Sequence, residues 1–308
     1  MKISIVSTMY MSEKYLHAFY QRISQSVMKI TNEYEIVLVN DGSPDKSLDI
    51  ALKFFKENDK VKVVDLSRNF GHHKAVMAGL QHAVGEKVFL IDCDLEEAPE
   101  LIFDFYEEFN KKNGAVDSVF GVQELRKGSW IQKVGGGVFY KMFNLFSGVN
   151  LEANPLTVRM MSRRYVNAVL LHQETELFMA GILHITGFLQ KSITVKKDYK
   201  GESAYSFRHR VSLMVKGVTA FSSYPLKFIF YIGILMSISA FLLGTFLFMK
   251  KVFLNGQIEP GWTSLMVSIW FIGGLLLAGL GTVGIYLNKV YNEVKRRPLY
   301  IVRDFYKK

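Results

Sequence analysis

Two uncharged apolar stretches, Phe228–Met249 and Leu265–Leu287, constrain this chain more than anything else in it. They run 22 and 23 residues, and about 20 apolar residues suffice for an α-helix to cross a bilayer. Small residues recur in both (Gly233, Ser237, Ser239 and Gly244; then Gly273, Gly274, Gly279, Gly281 and Gly284). They let helices approach closely and permit self-association. The surrounding charge is one-sided. Residues 1–194 carry 22 Lys+Arg against 23 Asp+Glu, and residues 195–308 carry 16 against 5. The net +10 therefore sits beside the apolar stretches, which points to the anionic cytoplasmic face of a membrane rather than to nucleic acid. By the positive-inside rule, the tail with Lys289, Lys295, Arg296, Arg297, Arg303, Lys307 and Lys308 stays in the cytosol. Two crossings return the chain to its starting side, so the N-terminal domain is expected in the cytosol of a two-span cell-membrane protein. The single cysteine, Cys93, excludes an internal disulfide and fits a reducing compartment. The opening MKISIVSTMY is too short and strand-like for a signal peptide.

The first 125 residues alternate two patterns. Strand-like runs at Lys2–Ser7, Tyr34–Asn40, Val61–Leu66, Lys87–Asp92 and Ser118–Val122 are separated by helical patterns at Glu13–Ile30, Lys46–Asn58, His72–Ala83 and from Pro99. Near-continuous apolar strands between helices predict a parallel sheet covered on both faces. Right-handed crossovers make it doubly wound, with ligands beyond the carboxyl ends of the strands. Tyr10, Asp41, Ser67-Arg68-Asn69 and Asp92-Cys93-Asp94 follow their strands and fall at that edge. Residues 126–224 are less regular. Trp130–Phe146 has apolar residues at helical spacing but three consecutive glycines, and reads as a core helix or a surface helix near the membrane.

Three motifs carry chemistry. Asp92-Cys93-Asp94-Leu95-Glu96 closes a hydrophobic strand. Carboxylates at Asp92, Asp94 and Glu96 can hold a hard divalent cation, which bridges a diphosphate; an acidic turn capping the next helix is the competing reading. Asn40-Asp41-Gly42-Ser43-Pro44-Asp45 puts Asp41 where it could accept hydrogen bonds from a base or ribose, with Ser43 or Asp45 as a plain helix cap in the alternative. Ser67-Arg68-Asn69-Phe70-Gly71-His72-His73-Lys74 sets cations and amides beside a helix N-terminus, a natural phosphate site. Its paired histidines are expected to face solvent. The first strand–helix turn, Ser7-Thr8-Met9-Tyr10-Met11-Ser12, lacks the glycine pattern of a dinucleotide fold.

Taken together, VNDGSPD at 39–45, LSRNFGHHKAVMAGL at 66–80, DCDLEEAPE at 92–100, VRMMSRR at 158–164, GES at 201–203 and GVTAFSSYPLK at 217–227 resemble family 2 glycosyltransferases. They are most similar to polyprenyl-phosphate hexose transferases of the dolichyl-phosphate mannose or glucose synthase type, with two C-terminal spans. The resemblance implies an α/β GT-A fold, a nucleotide-diphospho-sugar donor, Mg²⁺ or Mn²⁺, and inverting transfer to a lipid phosphate. It divides the chain into a nucleotide-sugar-binding half over 1–125, an acceptor-side half over 126–205 and a basic juxtamembrane segment over 206–227. The spans 228–249 and 265–287 and a basic cytosolic tail over 288–308 follow. It implies that Thr8, Tyr10, Ser12, Asp41 and Arg68 line the donor, that Asp92, Cys93 and Asp94 meet ribose, diphosphate and metal, and that Arg159 serves the acceptor side. Departures cluster on the sugar and acceptor side. The family's acidic run reads Asn154-Pro-Leu-Thr157, an arginine-bearing segment reads Glu174-Thr-Glu-Leu-Phe178, and the lysine after GES is Ala204. Glu96 replaces a glutamine. Lys196, Lys197 and Lys200 are candidate substitutes for the missing phosphate-binding cations.

The expected reaction is a single displacement in which Asp94 and its cation stabilise the leaving nucleotide diphosphate. Arg208, Arg210, Lys216 and Lys227, with Lys197 and Lys200, would hold a polyprenyl-phosphate acceptor near the membrane. A lipid phosphate is already anionic and needs little base. A sugar hydroxyl on a lipid-linked glycan, as in surface-polysaccharide synthesis, needs one, and Glu174 or Asp117 is then the candidate. A non-catalytic membrane partner is the third reading, against which the intact Asp41, Asp92 and Asp94 speak.

Overall fold

The computed structural model describes residues 2–111, 116–123, 155–175, 177–196, 224–254 and 261–308. The chain forms two compact units. The first comprises residues 1–145, 149–211 and 297–308, and the second is made mainly of residues 212–296.

The first unit is built on one eight-stranded sheet. Its centre is four parallel strands: β1 (Ile3–Met9), β2 (Tyr34–Asn40), β3 (Val61–Leu66) and β4 (Lys87–Leu90). Their Val- and Ile-rich runs suit a surface buried on both sides, and β2 is buried at every position. The intervening helices are α1 (Glu13–Met28), α2 (Ser47–Glu57), α3 (His72–His82) and α4 (Ile102–Asn110), the last entered through a 3₁₀ turn at Pro99–Leu101. Ile3, Ile5 and Met9 share a core with Leu16, Phe19 and Ile23 of α1, Phe54 of α2 and Phe105 of α4. Each fully buried phenylalanine, such as Phe19 or Phe105, stabilises by roughly 1.5–3 kcal/mol. Pairing of Met9 with Asn40 and of Asn40 with Asp65 aligns the strand ends, so the loops after β1 to β4 share one edge.

The remaining strands are β5 (Ser118–Gln123), β6 (Pro155–Ser162), β7 (Gln190–Val195) and β8 (Val302–Tyr306), with helices α5 (Arg163–Leu170) and α6 (Met179–Ile185) between β6 and β7. The strand order is β7-β5-β6-β4-β1-β2-β3-β8. The sheet is mostly parallel, as expected, but β6 runs antiparallel between β4 and β5, and β8 runs antiparallel to β3. Neither strand stood out in the sequence. The segment 288–308, whose charge suggested a plain basic tail, is helical to Val294 and then forms β8 on the β3 edge. Its charges have partners: Arg303 lies 3.5 Å from Asp65, and Lys308 bonds Asp59.

The opposite, amino edge is tied by a buried carboxylate. Glu35 accepts from the Ser4 hydroxyl at 2.5 Å and the Val84 amide at 2.6 Å, and pairs with Lys62 at 2.7 Å and Lys2 at 3.2 Å. Burial alone would raise its carboxyl. The bonds from Lys62, Ser4 and Val84 outweigh that and hold it at about 2.

The second unit contains α7 (Tyr224–Leu254) and α8 (Trp262–Val294), 31 and 33 residues long. The two expected spans fall inside these helices. Among the described residues, one helical stretch, Ser268–Val294, is long and apolar enough to cross a membrane; α7 contributes a shorter apolar stretch, Leu226–Met236.

Candidate active site

Two loops at the carboxyl edge are locked together by their polar side chains. The Met11 amide donates to Ser43 Oγ at 2.7 Å, the Ser12 amide to Ser47 Oγ at 3.0 Å, and the Glu13 amide to Asp45 Oδ2 at 3.0 Å. The Lys46 amide returns a bond to Glu13 at 3.3 Å. The starts of α1 and α2 thus cap each other, which satisfies amides that neither helix can pair internally. Met11 sits at φ 54 to make this turn. Burial opposes ionisation of Asp45, but the Ser43 and Ser47 hydroxyls and the Glu13 and Ser47 amides hold its carboxyl at about 2. Asp45→Ala is expected to cost about 1–2 kcal/mol of stability, read from thermal melts at pH 7. Ser12, expected to line the donor, is buried and turns its hydroxyl onto Tyr10 of its own loop. Tyr10 is half exposed.

Asp41 is buried and spends one oxygen on each of two amides, Phe70 at 2.7 Å and Gly71 at 3.0 Å. Burial raises its carboxyl; the two amides, His72 and Arg68 pull the other way. Asp41 therefore organises the Ser67–Gly71 loop, rather than standing open as a free acceptor. Gly42, at φ 60, makes the close approach possible, because a Cβ there would lie 2.4 Å from the Arg68 carbonyl carbon. Arg68 stacks on Phe70 at 4.1 Å and donates to the Asn69 carbonyl.

The loop after β4 carries Asp92 to Glu96. Cys93 is buried, its thiol donates to the Thr8 carbonyl at 3.0 Å, and burial pushes it up to about 12. It packs the loop and is not placed to meet a ligand. Leu95 has φ 62, and the Glu96 amide bonds Asp94 Oδ1 at 3.0 Å. Among the described residues no three acidic, His or Cys side chains are grouped to hold a metal. The expected trio of Asp92, Asp94 and Glu96 is thus not a closed cage, because the turn at Leu95 and the Glu96 amide commit this stretch to its own backbone. Two carboxylates still suit a Mg²⁺-type ion, which takes one or two protein oxygens and completes its shell with phosphate and water.

His72, expected to face solvent, is exposed, and the same ring also meets the strand ends: its Nδ1 lies 3.1 Å from Thr8 Oγ1 and its Nε2 lies 3.7 Å from Asp92. Desolvation lowers its imidazole, against the pull of Asp41 and Asp94. Gly71, at φ 98, turns the chain so that α3 starts with this ring against the strand ends. Beside it opens a cleft lined by His72, His73, Leu156, Arg159 and Met179. Arg159 is buried on β6 opposite Leu90, donating to the carbonyls of Leu156 and Thr157 at 3.1 Å. Burial lowers its guanidinium, which nonetheless keeps its charge at neutral pH. His73 contacts the Leu177 carbonyl at 3.1 Å, which brings the 172–178 segment to the start of α3. Glu174, on that segment, faces His172 at 3.9 Å.

Asp117 is the clear miss among the proposed bases. It precedes β5, which runs parallel to β4 across the intervening β6, so it lies at the amino edge, away from Asp92. There it is buried, accepting two bonds from Arg164 and one from Ser162. Lys197, Lys200, Arg208, Arg210 and Lys216, the Trp130–Phe146 segment and Asn154 lie outside the described residues.

Residues 4–170 match the family model described as glycosyl transferase family 2. A Mycobacterium tuberculosis (strain CDC 1551 / Oshkosh) protein described as a glycosyltransferase is 45% identical over 306 residues, covering 99% of this chain and 89% of that protein. The bactoprenol glucosyl transferase of Shigella phage SfII is 32% identical over 306 residues, covering 98% of each. Among solved structures, glucosyl-3-phosphoglycerate synthase from Mycobacterium tuberculosis with Mn²⁺, uridine-diphosphate-glucose and phosphoglyceric acid aligns at TM-score 0.46 and 17% identity, covering 71% of this chain and 78% of that one.

Proposed function

Since the chain belongs to glycosyl transferase family 2, we propose that it moves a sugar from a nucleotide-diphospho-sugar to polyprenyl phosphate at the cytosolic membrane face. The observation that carries this reading is the gathering of Asp92, Asp94, His72 and Arg159 around the carboxyl edge and its cleft. Carboxylates for a cation and a buried guanidinium for an anion are the two charges that a nucleotide-sugar transfer to a phosphate needs. The end-to-end match to a bactoprenol glucosyl transferase supports the lipid acceptor.

Asp92 and Asp94 would hold Mg²⁺ or Mn²⁺, which offsets the negative charge of the departing nucleotide diphosphate. Tyr10 offers an exposed ring to the base, and Arg68 a cation to the diphosphate. Arg159 holds the acceptor phosphate, or the sugar about to be transferred to it, in a site poor in water, where its charge is strong. The phosphate oxygen attacks the anomeric carbon from the face opposite the leaving group, so the configuration inverts. An anionic acceptor needs no proton removed, and Glu174 is then not required as a base. Lys197, Lys200, Arg208, Arg210 and Lys216 supply the basic approach to the lipid.

Two spans fit the first unit's connectivity. β7 ends at Val195 and β8 begins at Val302, and both lie in one sheet. The chain on both flanks of α7 and α8 thus belongs to one folded unit, which supports an even number of crossings between them. Membranes holding the protein, incubated with radiolabelled nucleotide sugars and polyprenyl phosphate and then extracted into organic solvent, test the proposal. A single-sugar lipid, lost on chelation with EDTA, is expected. A longer lipid-linked glycan would favour glycan extension instead, and no metal-dependent transfer from any donor would overturn the proposal.

A further inference from the structure

We infer that Arg303, on the strand that follows the membrane helices, is a positioning residue for donor binding. The inference rests on the donor reading of the carboxyl edge given above. β8 is more than a cover for β3. At the end of the β3–β8 ladder the register shifts between Asp65 and Leu66, and the Ser67 amide donates to the Ile301 carbonyl at 2.9 Å. Arg303 crosses this irregularity. Its guanidinium donates to the Ser67 carbonyl at 2.7 Å and stands 3.5 Å from the Asp65 carboxylate.

Asp65 is buried and is itself a link to the neighbouring loop. Its other oxygen accepts from Asn40 Nδ2 at 2.7 Å, and Asn40 Oδ1 accepts the Ser43 amide at 3.2 Å. The Ser67–Gly71 loop is thus gripped from two sides, by Asp41 at Phe70 and Gly71 and by β8 at Ser67. The same tail touches α3 beyond the loop, through Tyr300 with Gln81 and Phe305 against His82 at 4.5 Å. A planar guanidinium suits this place because one fork reaches a carbonyl and a carboxylate together. Removing it leaves Asp65 buried without that cation and strips Ser67, the first residue of the loop carrying Arg68, of one of its two bonds to the tail, leaving only its amide's bond to Ile301. The donor then meets a site displaced from its working geometry, although no donor contact has been deleted.

The test uses the full chain in detergent, with Kd for UDP and for GDP in the presence of Mn²⁺, steady-state transfer kinetics and thermal melts. Arg303→Met is expected to raise nucleotide Kd and donor KM roughly tenfold, with kcat and acceptor KM little changed. Arg303→Lys restores the charge but not the fork, and should fall between; it also carries the measurement if Arg303→Met does not fold. Tyr306→Ala, which loosens the far end of the same strand where it pairs with Val63 and meets Phe55, should lower the melting temperature without moving nucleotide Kd. Unchanged Kd in Arg303→Met, or Kd that merely tracks melting temperature across the three variants, overturns the inference. A wild-type protein that binds no nucleoside diphosphate, with ADP, CDP and dTDP tried after UDP and GDP, overturns the donor reading itself.

Discussion

Asp94→Asn should reduce sugar transfer roughly 10²–10³-fold, the scale on which losing one electrostatic contact to a developing charge is felt, while the fold survives. The amide oxygen of asparagine can still accept the Glu96 N–H bond that shapes this turn, so the backbone at Leu95 has no reason to rearrange. What disappears is one unit of negative charge, and a two-carboxylate site has no spare. Initial rates at a fixed donor concentration across a Mn²⁺ titration check it. The variant's deficit should shrink only partly at high Mn²⁺, and its melting temperature should match wild type. Transfer within threefold of wild type would end the assignment of Asp94 to the cation.

The second large effect is on stability. Glu35→Gln should cost about 3–5 kcal/mol, the usual result of stripping one partner from a buried ion pair. Lys62 is mostly buried and loses the charge that compensates it, while the Val84 amide and Ser4 hydroxyl lose a charged acceptor. The pH dependence follows in sign. The folded carboxyl is held at about 2, below its ordinary value of 4.5. Its contribution is complete above pH 4.5 and is lost as pH falls through about 2. The difference amounts to about 3 kcal/mol. Thermal melts between pH 7 and pH 2.5 should therefore fall more steeply for wild type than for Glu35→Gln. Parallel slopes would show that Glu35 is not ionised in the folded protein.

The parallel core was legible because its strands are continuous runs of Ile, Val, Leu and Phe; the read ranges for β2 and β3 coincide with the observed strands. The family resemblance was also sound. β6 was not legible, because PLTVRMMS carries an arginine at a buried position, where a strand pattern calls for an apolar residue. β8 was hidden by its charges and those just beyond it, which suggested solvent or lipid although Arg303 pairs with Asp65 and Lys308, past the strand's end, with Asp59. Asp92 and Asp94 could be placed because they follow a strand. The same rule, applied to Asp117, would have removed it from the site, since it precedes its strand. His72 and the partners of Asp41 depend on how loops fold back through space, and the sequence held little beyond Gly71 to announce that.

The antiparallel strand at the sheet's edge also sets an order of events during synthesis. Val302 follows Leu66 by 236 residues. At roughly 5–20 residues per second, ribosomes take on the order of ten to fifty seconds to cover that distance. Throughout that interval β3 has an open row of backbone donors and acceptors, the kind of edge that recruits stray strands from other chains. The last element to close this sheet emerges only after both long helices have been made. Completion of the sheet therefore reports that both long helices have already been made, and a nascent chain stalled before residue 302 exposes the very strand edge that β8 would have covered.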